Sequence, residues 1–148
     1  MKKNISIIKR SSLIIMILSL IIAVIYVAVG IFEFKGKMFG VMRTYYIAMR
    51  ISCFVAAAIF VVVALMCYRI FRSGRPFTRG NIWSVRGIAG LFFINAVLPI
   101  IIEGSSEGFL KVFVSRGVSS VFLAGIFLFV AEILRYGKLL QIESDETL

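Results

Sequence analysis

The chain has 148 residues, of which 61% are apolar, and its formal net charge is +10 at pH 7. A soluble domain of this length could not bury so many apolar side chains, so the composition excludes an ordinary soluble fold and indicates an integral membrane protein. Histidine is absent, which removes the commonest metal ligand and general base. We therefore expect no enzymatic activity, no cofactor and no metal site.

Four long apolar segments follow one another, and each is closed at both ends by a charge. The bracketing pairs are Arg10 and Glu33, Arg50 and Arg69, Arg86 and Glu103, and Arg116 and Arg135. At about 1.5 Å per helical residue the brackets lie roughly 25 to 35 Å apart, which matches a hydrocarbon core of roughly 30 Å. We therefore predict an all-α integral membrane four-helix bundle. Residues 1–148 form a single membrane domain, with spans at about 11–32, 46–70, 82–102 and 112–134.

The first segment also has features of a secretory signal peptide, because the chain starts basic and Ala28-Val29-Gly30 resembles a cleavage site. A signal peptide has an apolar core of about 7 to 15 residues. The run from Leu13 to Val29 is longer and is interrupted only by Ser19. We therefore predict an uncleaved membrane anchor.

The second segment contains both cysteines, Cys53 and Cys67. They are separated by about 21 Å along a helix, so they cannot bridge each other. We interpret them as small apolar packing residues.

The turn after the second segment has strong helix-end signals. Gly74 and Pro76 are expected to end the second helix, since glycine permits a left-handed exit and proline disfavours a helical residue before it. Thr78 is placed to cap the third helix.

The residues that follow this turn are typical of a membrane interface. Ile82, Trp83 and Val85 lie between Arg79 and Arg86, and such a mixture of apolar, aromatic and basic side chains suits the headgroup layer. We expect contact with the lipid bilayer and with anionic lipid headgroups. Direct nucleic-acid binding is not expected, because a patch so close to the bilayer leaves little room for a duplex.

Few polar residues interrupt the last two segments. Asn95 lies four residues before Pro99, which frees the carbonyl of Asn95 from its helical hydrogen bond. We expect the Asn95 side chain to form a hydrogen bond to a neighbouring helix, with binding of a substrate as the alternative.

Ser120 and Ala124 form a small-residue pair in the fourth segment that would let a helix approach closely. Glu132 is three residues before Arg135, so an ion pair within the helix is expected.

The charge distribution predicts the orientation. Eleven basic residues fall on the side of the two termini and the turn from Arg72 to Arg86, and six fall on the other side. By the positive-inside rule, both termini and this turn are cytoplasmic, while the segments from Glu33 to Arg43 and from Glu103 to Lys111 face outward. The predicted location is the bacterial cytoplasmic (inner) membrane.

Two motifs on the predicted cytoplasmic side give the chain a resemblance to a known family. The first begins at Arg72 with Arg-x-Gly-x-Pro-Phe-Thr-x-x-Asn and ends in Arg86. The second, Glu-Ile-Leu-Arg-x-Gly-x-x-Leu-Gln-x-Glu-x-Asp-x-Thr-Leu, runs from Glu132 to Leu148. With the four-span layout they resemble the DUF2975 family of small bacterial membrane proteins. Gly80 departs from the acidic residue that the family has before the asparagine.

The resemblance implies a role but no chemistry, because this family has no assigned biochemical activity. Its members are often encoded beside a small helix-turn-helix protein, which implies a membrane partner or regulator of a cytoplasmic transcription factor. The acidic tail around Glu143 and Asp145 suits a basic DNA-binding partner, and a merely solvated tail is the alternative. The candidate interaction residues are Arg72, Gly74, Pro76, Phe77, Thr78, Asn81, Arg86, Glu132, Arg135, Glu143 and Asp145.

A different class of function stays open. A small transporter or permeability module, working as a homo-oligomer, would use the polar residues within the spans. Asn95 and Ser120 are the candidate intramembrane polar residues, and Glu132 would join Asn95 along a path.

Overall fold

The computed structural model describes the backbone of residues 2–32, 41–107 and 109–146 and the side chains of 5–32, 43–103, 110–115 and 117–143. Its elements, in chain order, are α1 (Lys2–Phe32), α2 (Val41–Ser73), α3 (Arg79–Glu107), α4 (Phe109–Val112), a π-helical turn (Phe113–Gly117) and α5 (Val118–Glu146). These ranges contain no strand, so the all-α prediction is confirmed.

Four helices are long and apolar enough to cross a membrane. The qualifying segments are Ile5–Phe32, Arg43–Ser73, Arg79–Glu103 and Val118–Glu143. The chain is therefore an all-α membrane protein with four candidate spans, as the sequence predicted.

The helices extend beyond the predicted spans. The segment from Glu103 to Lys111 was expected to be an outer loop, yet α3 continues to Glu107 and α4 begins at Phe109. Once a helix exists, each added residue gains a hydrogen bond at low cost, so the apolar pattern marks only the part that lies in lipid. The other predicted outer segment runs from Glu33 to Arg43, and its residues 33–40 lie outside the described residues.

The helices pack as an open antiparallel row. Helix α1 contacts α2, α2 contacts α3, and α3 contacts α5, whereas within the described residues no Cα atom of α1 lies within 8 Å of one in α3 or α5. The two outer helices consequently turn much apolar surface outward, and Phe122 and Phe129 of α5 are more than two-thirds exposed. Lipid is a suitable environment for these faces, because it solvates apolar side chains as well as a protein core does.

Small residues line the contact between α1 and α2. In the described part of α1, from residue 5 to residue 32, the buried residues are Ser12, Ser19, Ala23 and Gly30. A Cβ at Gly30 would lie 3.5 Å from Cβ of Cys53, so the two backbones approach closely there. Cys53 and Cys67 are both buried in α2, as expected for small packing residues. Close approach of this kind is what holds helices together in lipid.

The contact between α3 and α5 combines small residues with one aromatic pair. Phe92 and Phe127 stack with ring centroids 5.4 Å apart. Ser120 and Ala124 are both buried on α5, so this small-residue pair packs inside the protein.

Candidate interaction surface at the basic end

The two sequence motifs meet at one end of the row, here called the basic end: the start of α1, the turn between α2 and α3, and the last part of α5. Basic side chains gather there from all four long helices. The described ones are Lys9, Arg10, Arg69, Arg72, Arg75, Arg79, Arg86, Arg135 and Lys138. At the opposite end the described basic side chains are Arg43, Arg50 and Lys111.

Gly74 ends α2 in the predicted way. Its backbone N–H donates to the carbonyl of Ile70 at 2.7 Å, and its φ of +67° is left-handed. A side chain at this position would be strained, and its Cβ would lie 3.2 Å from Ile5 of α1. The glycine therefore both stops the helix and lets α1 pack against the turn.

Thr78 and Asn81 shape the turn from within. The Thr78 hydroxyl accepts a hydrogen bond from the backbone N–H of Asn81 at 3.3 Å, which confirms the predicted cap of α3. The Asn81 side-chain amide donates to the carbonyl of Pro76 at 2.9 Å. The three candidate residues Pro76, Thr78 and Asn81 therefore position the turn. Asn81 is 1% exposed, so its side chain is out of reach of a partner.

Phe77 and Gly137 fasten this turn to α5. A Cβ at Gly137 would lie 2.8 Å from Cε1 of the Phe77 ring, so the ring occupies space that only glycine leaves open. One residue of the first motif thus rests directly on the backbone of the second.

Glu132 joins two basic residues on two helices. Its carboxylate accepts from Arg135 at 3.3 Å, as predicted, and from Arg86 of α3 at 2.6 Å. The sequence did not predict the second pair, because 46 residues separate its members. The Arg86 guanidinium also lies 5.7 Å from the centroid of the Trp83 ring, so it is held from two sides.

Arg69 is a positioning residue that the sequence analysis missed. From the end of α2 its guanidinium donates to the Ser84 hydroxyl at 3.0 Å and to the Gly80 carbonyl at 3.4 Å, both in the first turns of α3. The signal available in the sequence was the position of Arg69 at the end of the second apolar segment, two residues after Cys67. This position lies opposite the start of α3.

A groove separates the start of α3 from the end of α5, and it is here called the α3–α5 groove. Its volume is about 480 Å³. Its walls are Arg79, Ile82, Trp83, Arg86, Arg135, Lys138, Leu139 and Ile142. Of the predicted interaction residues whose side chains are described, Arg86 and Arg135 line it. Arg72 and Glu143 are exposed elsewhere on the basic end, and the side chain of Asp145 lies outside the described residues.

Asn95 does not form the predicted bond to a neighbouring helix. It lines a cavity of about 320 Å³ with Tyr45, Met49, Ser52 and Pro99. Its side-chain oxygen is buried and accepts no hydrogen bond within the described part of the chain. The cavity lies between α2 and α3 at this level, where the prediction placed a partner for the amide.

Glu103 is buried although it was expected to mark a charged end of the third span. It is 3% exposed and continues a seven-residue repeat on α3 that begins with the buried Ile82, Ala89 and Ala96. That repeat was the signal that would have found it.

The described residues contain no group of three metal-ligating side chains close enough to hold an ion. No protein-family model matches this chain, and neither a curated protein nor a solved structure matches it.

Proposed function

We propose that this chain is a non-enzymatic multi-pass protein of the bacterial cytoplasmic membrane, and that its basic end contacts and regulates a cytoplasmic helix-turn-helix transcription factor. The observation that carries the proposal is the joining of the two motifs, through Phe77 on Gly137 and Arg86 on Glu132, into one surface. The family that these motifs resemble supplies the kind of partner.

The charge distribution supports a cytoplasmic position for this surface. Basic residues near membrane spans favour the cytoplasmic side, and nine described ones lie at the basic end against three at the other. Both chain termini belong to helices whose outer ends lie at the basic end.

The last part of α5 supports a protruding contact element. The helix continues to Glu146, eleven residues past Arg135, which corresponds to about 16 Å of helix beyond the bracketing charge. A helical tail offers a partner a more ordered surface than a loose chain end would.

Truncation after Gly137 tests the proposal. The shortened protein keeps all four apolar segments, so it is expected to insert and accumulate normally, but to lose its effect on the regulator in a transcriptional reporter assay. The matched control keeps the full helix and carries Ser119→Ala, at an exposed position of α5 outside the tail. Full regulatory activity of the truncated protein, at equal membrane abundance, would show that the tail is only a solvated end.

A small oligomeric transporter or permeability module is the second candidate, and the Asn95 cavity favours it. The cavity is lined by the polar residues Ser52 and Asn95 and lies beside a proline-freed carbonyl, which is a place where a ligand with hydrogen-bond donors would bind. Replacing a buried unpartnered amide by an apolar side chain of similar size is expected to be neutral or stabilising by up to about 2 kcal/mol.

Asn95→Leu separates the two candidates, and Ser119→Ala, an exposed position of α5, is its control. If the chain is a regulator, the Asn95 variant keeps both its stability and its reporter activity. A variant that folds normally but abolishes a measured flux would instead support the transporter.

A further inference from the structure

Among the described side chains, the α3–α5 groove has an excess of positive charge that acidic residues do not neutralise. Four of its lining side chains are cationic, namely Arg79, Arg86, Arg135 and Lys138. Glu132 pairs with Arg86 and Arg135, while within the described residues Arg79 and Lys138 form no ion pair. Counted over the described side chains, and with Glu143, next to the lining residue Ile142, taken as a second anion, four cations against two anions leave two positive charges at the groove.

Aromatic residues place the groove at the bilayer surface. Tyr68 of α2, Trp83 of α3 and Tyr136 of α5 lie at the same end of the row, and each is about half or more exposed. Tyrosine and tryptophan side chains in this position mark the boundary between hydrocarbon and headgroups. Trp83 is also a wall of the groove, so the groove opens where lipid phosphates lie.

The lining suits an amphiphile better than a free anion. Ile82, Leu139 and Ile142 form apolar wall between the cationic side chains. A lipid presents both kinds of surface, because its phosphate carries charge and its glycerol backbone and upper acyl chains do not. Basic pockets between membrane helices are known to take anionic headgroups for this reason.

We propose that the α3–α5 groove binds the headgroup of an anionic phospholipid from the surrounding bilayer. Its phosphate lies among the guanidinium groups of Arg79, Arg86 and Arg135 and the ammonium group of Lys138. Arg86 is already held by Glu132 and Trp83, so little side-chain freedom is lost when the lipid binds. The proposal requires that the basic end lie at the bilayer surface, and it does not require that a regulator bind there.

The full-length protein reports on this site through its own fluorescence, because Trp83 is its single tryptophan. It is reconstituted in phosphatidylcholine nanodiscs with increasing fractions of phosphatidylglycerol brominated on the upper acyl chain, which quenches nearby tryptophan. Brominated phosphatidylcholine in the same fractions gives the unselective level. The expected result is a relative binding constant of about 5 or more in favour of the anionic lipid, since one basic residue near the surface contributes about fivefold.

Two matched double variants locate the effect. Arg79→Gln/Lys138→Gln removes two groove charges, and Arg72→Gln/Arg75→Gln removes two charges from the same end outside the groove. We expect the first to lower the relative constant to about 1 to 2 and the second to change it by less than about twofold. Circular dichroism checks that both double variants fold. If Arg79→Gln/Lys138→Gln does not fold, the test is repeated with Arg79→Gln alone, which lies at an exposed position.

Two outcomes would overturn the proposal. A relative binding constant of about 1 for the unaltered protein would mean that the groove does not select anionic lipid, and a cytoplasmic protein would then be its expected ligand. An equal loss in both double variants would mean that the basic end attracts anionic lipid through its overall charge and not through this groove.

Discussion

Gly80 stands where the sequence analysis expected an acidic residue, and the structure shows what an acidic side chain would meet there. It is the second residue of α3, after the Thr78 cap. A Cβ at Gly80 would lie 3.5 Å from a guanidinium nitrogen of Arg69. An acidic residue would therefore face Arg69 and the positive end of the helix dipole together.

Gly80→Asp is expected to stabilise the protein. A favourable charge in the first helical turn, a screened ion pair and the lost flexibility of glycine together raise the free energy of unfolding by about 0.5 to 1.5 kcal/mol. Unfolding by denaturant in detergent micelles measures this. Gly80→Asn has the same shape without the charge and serves as the control. If the two variants are equally stable at low salt, then Arg69 and the helix dipole contribute nothing.

At the scale of elements, the turn between α2 and α3 is attached to α5 by the packing of Phe77 on Gly137. This attachment joins helices that are not neighbours in the sequence. Because the ring fills the space over the glycine, any side chain at position 137 must displace it.

Gly137→Val should lower the free energy of unfolding by about 1 to 2 kcal/mol, because overpacking forces the Phe77 ring out of its position. Gly125→Val is the control, since it lies on the same helix and a Cβ there meets nothing within 4 Å. Thermal unfolding compares the two variants. In the background of Phe77→Ala the penalty of Gly137→Val should fall to that of the control, and a penalty that stays unchanged would contradict the packing argument.

At the scale of the whole molecule, the open row and the uneven charge predict a single orientation. The basic end should be cytoplasmic, because translocating the eleven basic residues on its side of the sequence is less favourable than translocating the six on the other side. The outer faces of α1 and α5 should then contact lipid along the whole span.

Cysteine labelling in intact cells tests the orientation. After Cys53→Ala and Cys67→Ala, a single cysteine is introduced at Ser73 at the basic end or at Lys111 at the opposite end. An impermeant maleimide should label Lys111→Cys in intact cells and Ser73→Cys only after lysis. The reverse pattern would place the basic end outside and remove a cytoplasmic regulator from consideration.

The local features of this protein could be predicted because each depends on a few consecutive residues. A bilayer of fixed thickness requires long apolar helices with satisfied backbone hydrogen bonds, so the four spans follow from run length alone. The left-handed Gly74 and the Thr78 cap follow from backbone rules that hold within one turn.

By itself, therefore, the sequence determined the class, the number of spans and the ends of α2 and α3. Only the tertiary structure decided the open row, the ion pair of Arg86 with Glu132 and the burial of Glu103. It also decided the environment of Asn95, whose side-chain oxygen accepts no hydrogen bond from the described residues. The physical reason is that lipid solvates apolar side chains on every face of a helix. Hydrophobic periodicity consequently gives little information about which helices are neighbours, and close packing between small residues has to decide it.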